Sequence, residues 1–378
     1  MSAHYTHGMG TGLEAPSWPA ITQAEARAAL ARFAQAGVLE RLDWHSPRPF
    51  SSAALARTSS GALFLKRHSA RLRAPEHLAQ EHAFIAHLAG RGAPVAQLLS
   101  ADTGATALAL GDWTWEVHRK AAGADLYRDR QSWTPFLTLD HARAAGAALA
   151  RLHDAAQGFA APPRPVQPLV ASLSILTAPD PLAAARAYVA ARPALADYLA
   201  GRAWQDELAD LFAMLDAAAL APLLAAQPPL WTHNDWHPSN LLWSQDGEVA
   251  TVLDFGLADR TCALHDLATA LERTAVRWLE LGDSAAIAEP EAALALLAGY
   301  GAIRPLPAAD RALLARLLPL VHVEFAMSEA DYFHGVLGRR ADADLAWDGF
   351  LRGHAAWFTR VEGRALLATI ASAPVIAG

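Results

Sequence analysis

Cysteine is almost missing from this chain of 378 residues. Cys262 stands alone, which excludes an intrachain disulfide and fits a reducing, cytoplasmic setting. A single cysteine of this kind reads as a small packing residue and not as a reactive thiol. Also missing is any run of eighteen or more strongly apolar residues, so neither a membrane-spanning helix nor a membrane partner is expected. The 53% hydrophobic content comes largely from alanine. The first twelve residues are polar and contain no signal-peptide hydrophobic stretch. Basic charge is in deficit: 31 lysines and arginines face 38 acidic residues, for a net charge of −7. With no basic stripe, a nucleic-acid partner is not expected.

The length exceeds one ordinary core and predicts two lobes. The informative stretch runs Leu230-Trp-Thr-His-Asn-Asp-Trp-His-Pro-Ser-Asn-Leu-Leu-Trp243, followed by Val252-Leu-Asp-Phe-Gly256. His233, Asp235 and Asn240 stand as H-x-D-x-x-x-x-N, and Asp254 lies nineteen residues beyond Asp235. Phosphoryl transfer from ATP needs few protein groups. A carboxylate orients or deprotonates the attacking hydroxyl, and oxygen ligands hold Mg²⁺ on the phosphates. Asp235 fits the first role, Asn240 and Asp254 the second, in the order of the catalytic-loop and D-F-G segments of protein kinases. Pro238 keeps the loop out of helix. Asp246-Gly247 signals a tight hairpin whose return strand, Val249 to Leu253, brings Asp254 back beside Asn240.

The segment resembles the aminoglycoside phosphotransferase and choline kinase family, a small-molecule branch of the protein-kinase-like fold. The likeness is strong from 228 to 270 and extends more weakly from about residue 40 to 365. It implies an α+β fold in two lobes: a small antiparallel-sheet lobe and a larger, mainly helical one. The expected division is a flexible lead-in over 1–20, a nucleotide-binding lobe over 21–120, and a catalytic and substrate-binding lobe over 121–378. The family carries a second histidine or similar residue in the catalytic loop, as His237 is here, with a phosphate or Asp235 as its target. His233 reads as loop support. Asp266, in His265-Asp-Leu-Ala268, resembles the family's aspartate after the metal loop, and is expected to tie a loop down through N–H contacts at a helix start.

Along the chain, Thr22 and Glu25 form a capping-box pattern ahead of an alanine-rich helix expected to end near Gly37. Strands are predicted over 38–44, 53–58, 62–67, 96–99, 105–110 and 114–118, with a helix over Pro75 to Ala89. Lys66 sits in an alternating strand, and Glu81 shares an apolar helix face with Leu78, Ile85 and Leu88. An unpaired carboxylate would be costly there. Lys66 is its natural partner, and the pair would serve the nucleotide phosphates. One departure is the phosphate cover between the first two strands, His45 to Ala53, which has no glycine. Ser51 and Ser52 are assigned to the phosphates in its place, with Arg48 in reach. An adenine-reading hinge is expected near Glu116 to Lys120, through backbone groups only.

For the acceptor, His322 to His334 offers Glu324, Asp331 and Tyr332, acidic and aromatic groups suited to an amine-bearing alcohol. The expected activity is an ATP- and Mg²⁺-dependent O-phosphotransferase acting on a small-molecule hydroxyl. Amino alcohols, homoserine-like compounds, sugars and aminoglycosides all fit as acceptors. Two alternatives are an HD-type metal-dependent phosphohydrolase, using His265 and Asp266 with His233 or His237, and a catalytically silent nucleotide-binding module.

Overall fold

The computed structural model describes residues 5–10, 12–282 and 286–373. Its contacts divide the chain into two compact units. The first runs to Ala124 and takes in Ala250–Leu253; the second comprises Asp125–Val249 and the chain from Asp254 onward.

The first unit opens with a two-stranded antiparallel pair, β1 (Thr6–His7) and β2 (Leu13–Glu14). Helix α1 (Gln23–Leu30) follows, then β3 (Leu39–His45), β4 (Ser52–Thr58), β5 (Gly61–Ser69), helix α2 (Pro75–Gly90), β6 (Ala107–Leu110) and β7 (Trp113–Arg119). The five strands β3 to β7 form one antiparallel sheet in the order β3-β4-β5-β7-β6. Alternation decides what each face does. Leu63, Leu65, Trp115 and Val117 join the core with Ala26, Ala29 and Leu30 of α1. Arg67 is buried on that side under Trp113, its guanidinium 4.1 Å from the ring. It is paired to Glu25 at 2.5 Å. Glu25 also closes the capping box with Thr22, so one residue both starts the helix and pins it to the sheet.

Two expectations need correction here. The helix does not continue to Gly37. Asp102 Oδ1 takes the Ala34 N–H (3.0 Å) and the Asp102 N–H goes to the Arg32 carbonyl, so tertiary bonds overrule the alanine propensity. Residues 96–99 are not a strand either. Val95 bridges to Val252 while Leu98 bridges to His118, so neighbouring residues pair with different partners and no ladder grows. Among the described residues before α1, the His7 N–H reaches the Pro47 carbonyl at 2.8 Å, and the Pro19 carbonyl accepts from Ser52 and Arg67.

The second unit is mainly helical. It contains α3 (Leu139–Ala156), α4 (Pro181–Ala190), α5 (Pro193–Tyr198), α6 (Trp204–Met214) and α7 (Ala217–Ala225). After strand β8 (Pro229–Thr232) come β9 (Leu241–Trp243), then β10 (Val249–Val252), which belongs to the first unit from Ala250 on, and β11 (Asp259–Cys262). Ser244 to Glu248 form the tight turn between β9 and β10. Helices α8 (Ala263–Thr274), α9 (Pro290–Gly301), α10 (Ala308–Leu317), α11 (Val323–Asp331), α12 (Arg340–Asp344), α13 (His354–Phe358) and α14 (Val361–Ala371) complete it. Wide π-helical turns occupy Tyr332–Val336 and Leu345–Gly353. Antiparallel pairing of β8 with β11 sets Thr232 opposite Asp259, at the root of the 233–240 loop.

Helices α3 and α9 touch backbone to backbone. A Cβ on Gly146 would collide with the Leu296 carbonyl, and one on Gly299 with the Arg143 carbonyl. No single helix among the described residues is long and apolar enough to cross a membrane. Cys262 is buried, and burial pushes its thiol up to about 11. It is therefore expected to resist alkylation by iodoacetamide in the native protein and to react only on unfolding; fast labelling of folded protein would contradict this.

Candidate active site

Strand β8 delivers the chain into the 233–240 loop, and Asp266 in the first turn of α8 holds that loop by its backbone. Asp266 Oδ2 accepts the His233 N–H at 2.9 Å and Oδ1 accepts the Asn234 N–H at 2.7 Å. His153 Nε2 lies 3.0 Å from Oδ2, and its Nδ1 meets the Tyr300 hydroxyl at 2.8 Å. A carboxylate only accepts, so Nε2 carries a proton towards Asp266. Burial alone would raise the Asp266 carboxyl, but the hydrogen bond and charge of His153 and the contacts with His233 hold it below the ordinary aspartate value. Asn234 takes a left-handed conformation (φ 58°), which asparagine tolerates better than most residues. Its Oδ1 accepts from Thr232 Oγ1 at 2.9 Å.

The functional side chains follow. His233 accepts the Asp235 N–H at 3.1 Å and packs on Trp236 and Phe255, a supporting place. Asn240 Nδ2 donates to Asp235 Oδ2 and to the Asp235 carbonyl, both at 2.9 Å, and lies 3.1 Å from His237 Nε2. Two of these partners are oxygen acceptors, so the amide nitrogen must face them, and Oδ1 is the atom left to face a cation. His237 also lies 3.4 Å from Asp235 Oδ1, so it helps to set both residues. Asp254 has left-handed backbone (φ 54°), and its Oδ1 accepts the Gly256 N–H at 3.3 Å. Strained backbone at a functional loop is where such conformations concentrate. Asn240 Oδ1 and the Asp254 carboxylate are hard oxygens, the donor type that Mg²⁺ takes alongside phosphate and water.

Sequence reasoning missed Arg273. This buried residue of α8 forms an ion pair with Asp235 Oδ1. Its guanidinium sits 5.1 Å from the rings of both Trp133 and Phe325. Burial pushes it down to about 9, opposed by the charge of Glu329, which leaves it cationic at neutral pH. The available signal was spacing: Arg273 falls seven residues after Asp266, on the same helix face.

In the first unit, Lys66 lies directly opposite Glu116 of β7, with Nζ 4.0 Å from Oε1. Glu81 of α2 is buried, and ligating atoms of Glu81, His82 and Glu116 all lie within 4.8 Å of one another. The structure thus brings Lys66 and Glu81 to one charge cluster that includes Glu116. Segment 116–120, from which no side chain was expected to act, also supplies the Glu116 side chain to this cluster. His68, His82 and His118 lie 2.9, 2.8 and 3.2 Å from its oxygens. Burial would raise Glu116, but hydrogen bonds from His118, His68 and His82 hold it well below the usual carboxylate range.

Other assigned residues are placed differently. The Ser52 hydroxyl is committed to the Pro19 carbonyl at 2.7 Å, and Arg48 Nη1 meets His7 Nδ1 at 3.0 Å. Ser51 sits half-buried at the bend before β4. The acceptor lining is not formed as expected. Glu324 is buried and accepts from the hydroxyls of Ser172 and Ser174 and from the Ile175 N–H (2.6 Å), so it closes a loop. Asp331 is buried too, its carboxyl raised by burial against the pull of Arg192 and the Leu195 N–H. Tyr332 is fully buried against Phe333. Nor does the phosphohydrolase alternative find its ligands: both Asp266 oxygens hold N–H groups, and His265 turns to Asn234 at 3.2 Å.

A sheet unit carrying a buried Lys–Glu cluster and a helical unit carrying this loop define a protein-kinase-like fold. The profile of the phosphotransferase enzyme family (APH) matches residues 47–313, and the chain belongs to that family. No curated protein sequence matches it significantly. Among solved structures, an aminoglycoside phosphotransferase from Alicyclobacillus acidocaldarius is similar at 19% identity and TM-score 0.52, over 93% of this chain and 96% of that one. The amicoumacin kinase hAmiN, solved with AMP-PNP, Ca²⁺ and Ami, gives 17% and 0.59 over 89% and 94%. A microcompartment-associated aminopropanol kinase gives 19% and 0.52 over 88% and 99%. The chain is a small-molecule phosphotransferase by family.

Proposed function

We propose that the protein is an ATP- and Mg²⁺-dependent kinase that phosphorylates the hydroxyl of a small polar molecule. The observation that carries the reading is the 2.9 Å bond from Asn240 Nδ2 to Asp235 Oδ2, which holds a base and a metal-facing amide side by side. Asp235 orients the acceptor hydroxyl and takes its proton. Arg273 and His237 keep that carboxylate aimed. Asn240 and Asp254 hold Mg²⁺, which when bound neutralises charge developing on the phosphates. Lys66, set by Glu116 and Glu81, serves the nucleotide phosphates. Neighbours named as an aminopropanol kinase and an aminoglycoside phosphotransferase put amino alcohols first among acceptors to test.

Asp254→Ala tests the metal assignment. The variant is expected to remain folded by circular dichroism and to lose Mg²⁺-dependent turnover of ATP. Undiminished turnover in the folded variant would remove Asp254 from the mechanism.

A further inference from the structure

A second cluster lies among the C-terminal helices of the helical unit, and the phosphotransfer reading does not use it. Glu272 lies in the last turn of α8, His322 precedes α11, and His354 starts α13; all three are buried. One ligating atom from each lies within 4.8 Å of the others. His354 Nδ1 is 2.8 Å from Glu272 Oε1, and His322 Nδ1 is 3.8 Å from Glu272 Oε2. On the other side of the same imidazole, His322 Nε2 lies 3.4 Å from Glu329 Oε2.

Two observations point to an occupant. Among the described residues, no hydrogen bond reaches Glu272 Oε2, the buried oxygen on the His322 side of the cluster. A buried acceptor in that state is costly. The adjoining cavity, lined by Asn234, His265, Glu272, Arg273 and His322, measures about 10 Å³, room for about one water and not for an organic acceptor.

We propose that Glu272, His322 and His354 bind one divalent transition-metal ion of the zinc class, with Glu329 holding His322 from behind. Two imidazoles and a carboxylate suit zinc, and a water from the cavity completes four ligands. A carboxylate on the far nitrogen of a ligating histidine is the usual outer support of such sites. The rings are held for the purpose. His354 stacks on Trp278 at 3.7 Å, and Trp133 meets His322 edge-on at 5.4 Å. A π-helical turn ends directly before His354, and such turns often mark functional positions. The other compact group, Glu81, His82 and Glu116, is unsuited: Glu116 already holds three histidines, and Lys66 lies 4.0 Å away.

The test uses the untagged full-length protein, stripped by a chelator and titrated with Co²⁺ and then Zn²⁺ alone. One equivalent of Co²⁺ should bind with the visible bands of a four-coordinate site, be displaced by Zn²⁺, and raise the unfolding temperature. Glu272→Gln and His354→Ala should lose these bands. Glu329→Gln should keep them with about 10–100-fold weaker affinity. Asp254→Ala should bind Co²⁺ as the wild type does. Absence of Co²⁺ bands in the wild type overturns the proposal even if a variant fails to fold. So does binding that is unchanged in Glu272→Gln, which would place the ion elsewhere, for example on His7.

Discussion

Asp235→Asn is expected to slow phosphoryl transfer by ~10²–10⁴, the usual range for losing a positioned acid–base group. The amide keeps the size of the side chain and one acceptor for Asn240 or Arg273, but it cannot take a proton. It also leaves the buried Arg273 facing a neutral group, so the melting temperature should fall modestly and must be measured beside the rate. ATP affinity should change little, because Asp235 is assigned to the acceptor hydroxyl. The measurement is turnover with a saturating acceptor, alongside separate ATP binding. Lost ATP binding with an unchanged maximal rate would make Asp235 a nucleotide-site residue and leave the reaction without a base.

Asp266→Ala should be the most damaging substitution away from the reacting groups, destabilising the fold by about 3–5 kcal/mol, as breaking a buried charged network does. It strips partners from two buried N–H groups, on His233 and Asn234, and from the proton of His153. Asp266→Asn should be nearly as harmful, since one of its two terminal atoms becomes a donor facing an N–H. The acid side follows from the lowered carboxyl. Its contribution is present above the unfolded value of 3.8 and is lost as pH falls through the lower folded value, so wild type and variant should converge there. Urea unfolding at neutral and acid pH measures both. A variant as stable as the wild type at neutral pH would contradict the role given to this residue.

The candidate loop stood out in the sequence because its residues are contiguous. A residue type at each of positions 233, 235, 237 and 240, with Asp254 after a turn, is a local pattern. Strand alternation likewise put Lys66 on one sheet face and Arg67 on the other. What escaped depends on partners far along the chain. Glu116 was taken for hinge backbone, although an acid between Trp115 and Val117 in an apolar strand needed a partner. That Lys66 is one of two lysines, with Lys120, was a further clue. Glu324 looked like a cleft residue because helical spacing cannot tell a solvated acid from one that closes a loop 150 residues away. The lead-in looked mobile because nothing within its own sequence shows that the Pro47 and Pro19 carbonyls tie it to the sheet unit.

The glycine contact between α3 and α9 reaches further than packing. His153 rides on α3 and Tyr300 on α9, and together they steady Asp266, which in turn carries the loop of Asp235. The gap between the two helices works as a calibrated spacer for chemistry that neither glycine touches. A methyl group at position 146 or 299 has no side chain to push aside, only a carbonyl, so the helices themselves must part. Misplacement of about 1 Å is enough to cost a reaction two orders of magnitude in rate. In an activity screen these two remote positions would therefore read as active-site residues, while a binding assay for the nucleotide would pass them as silent.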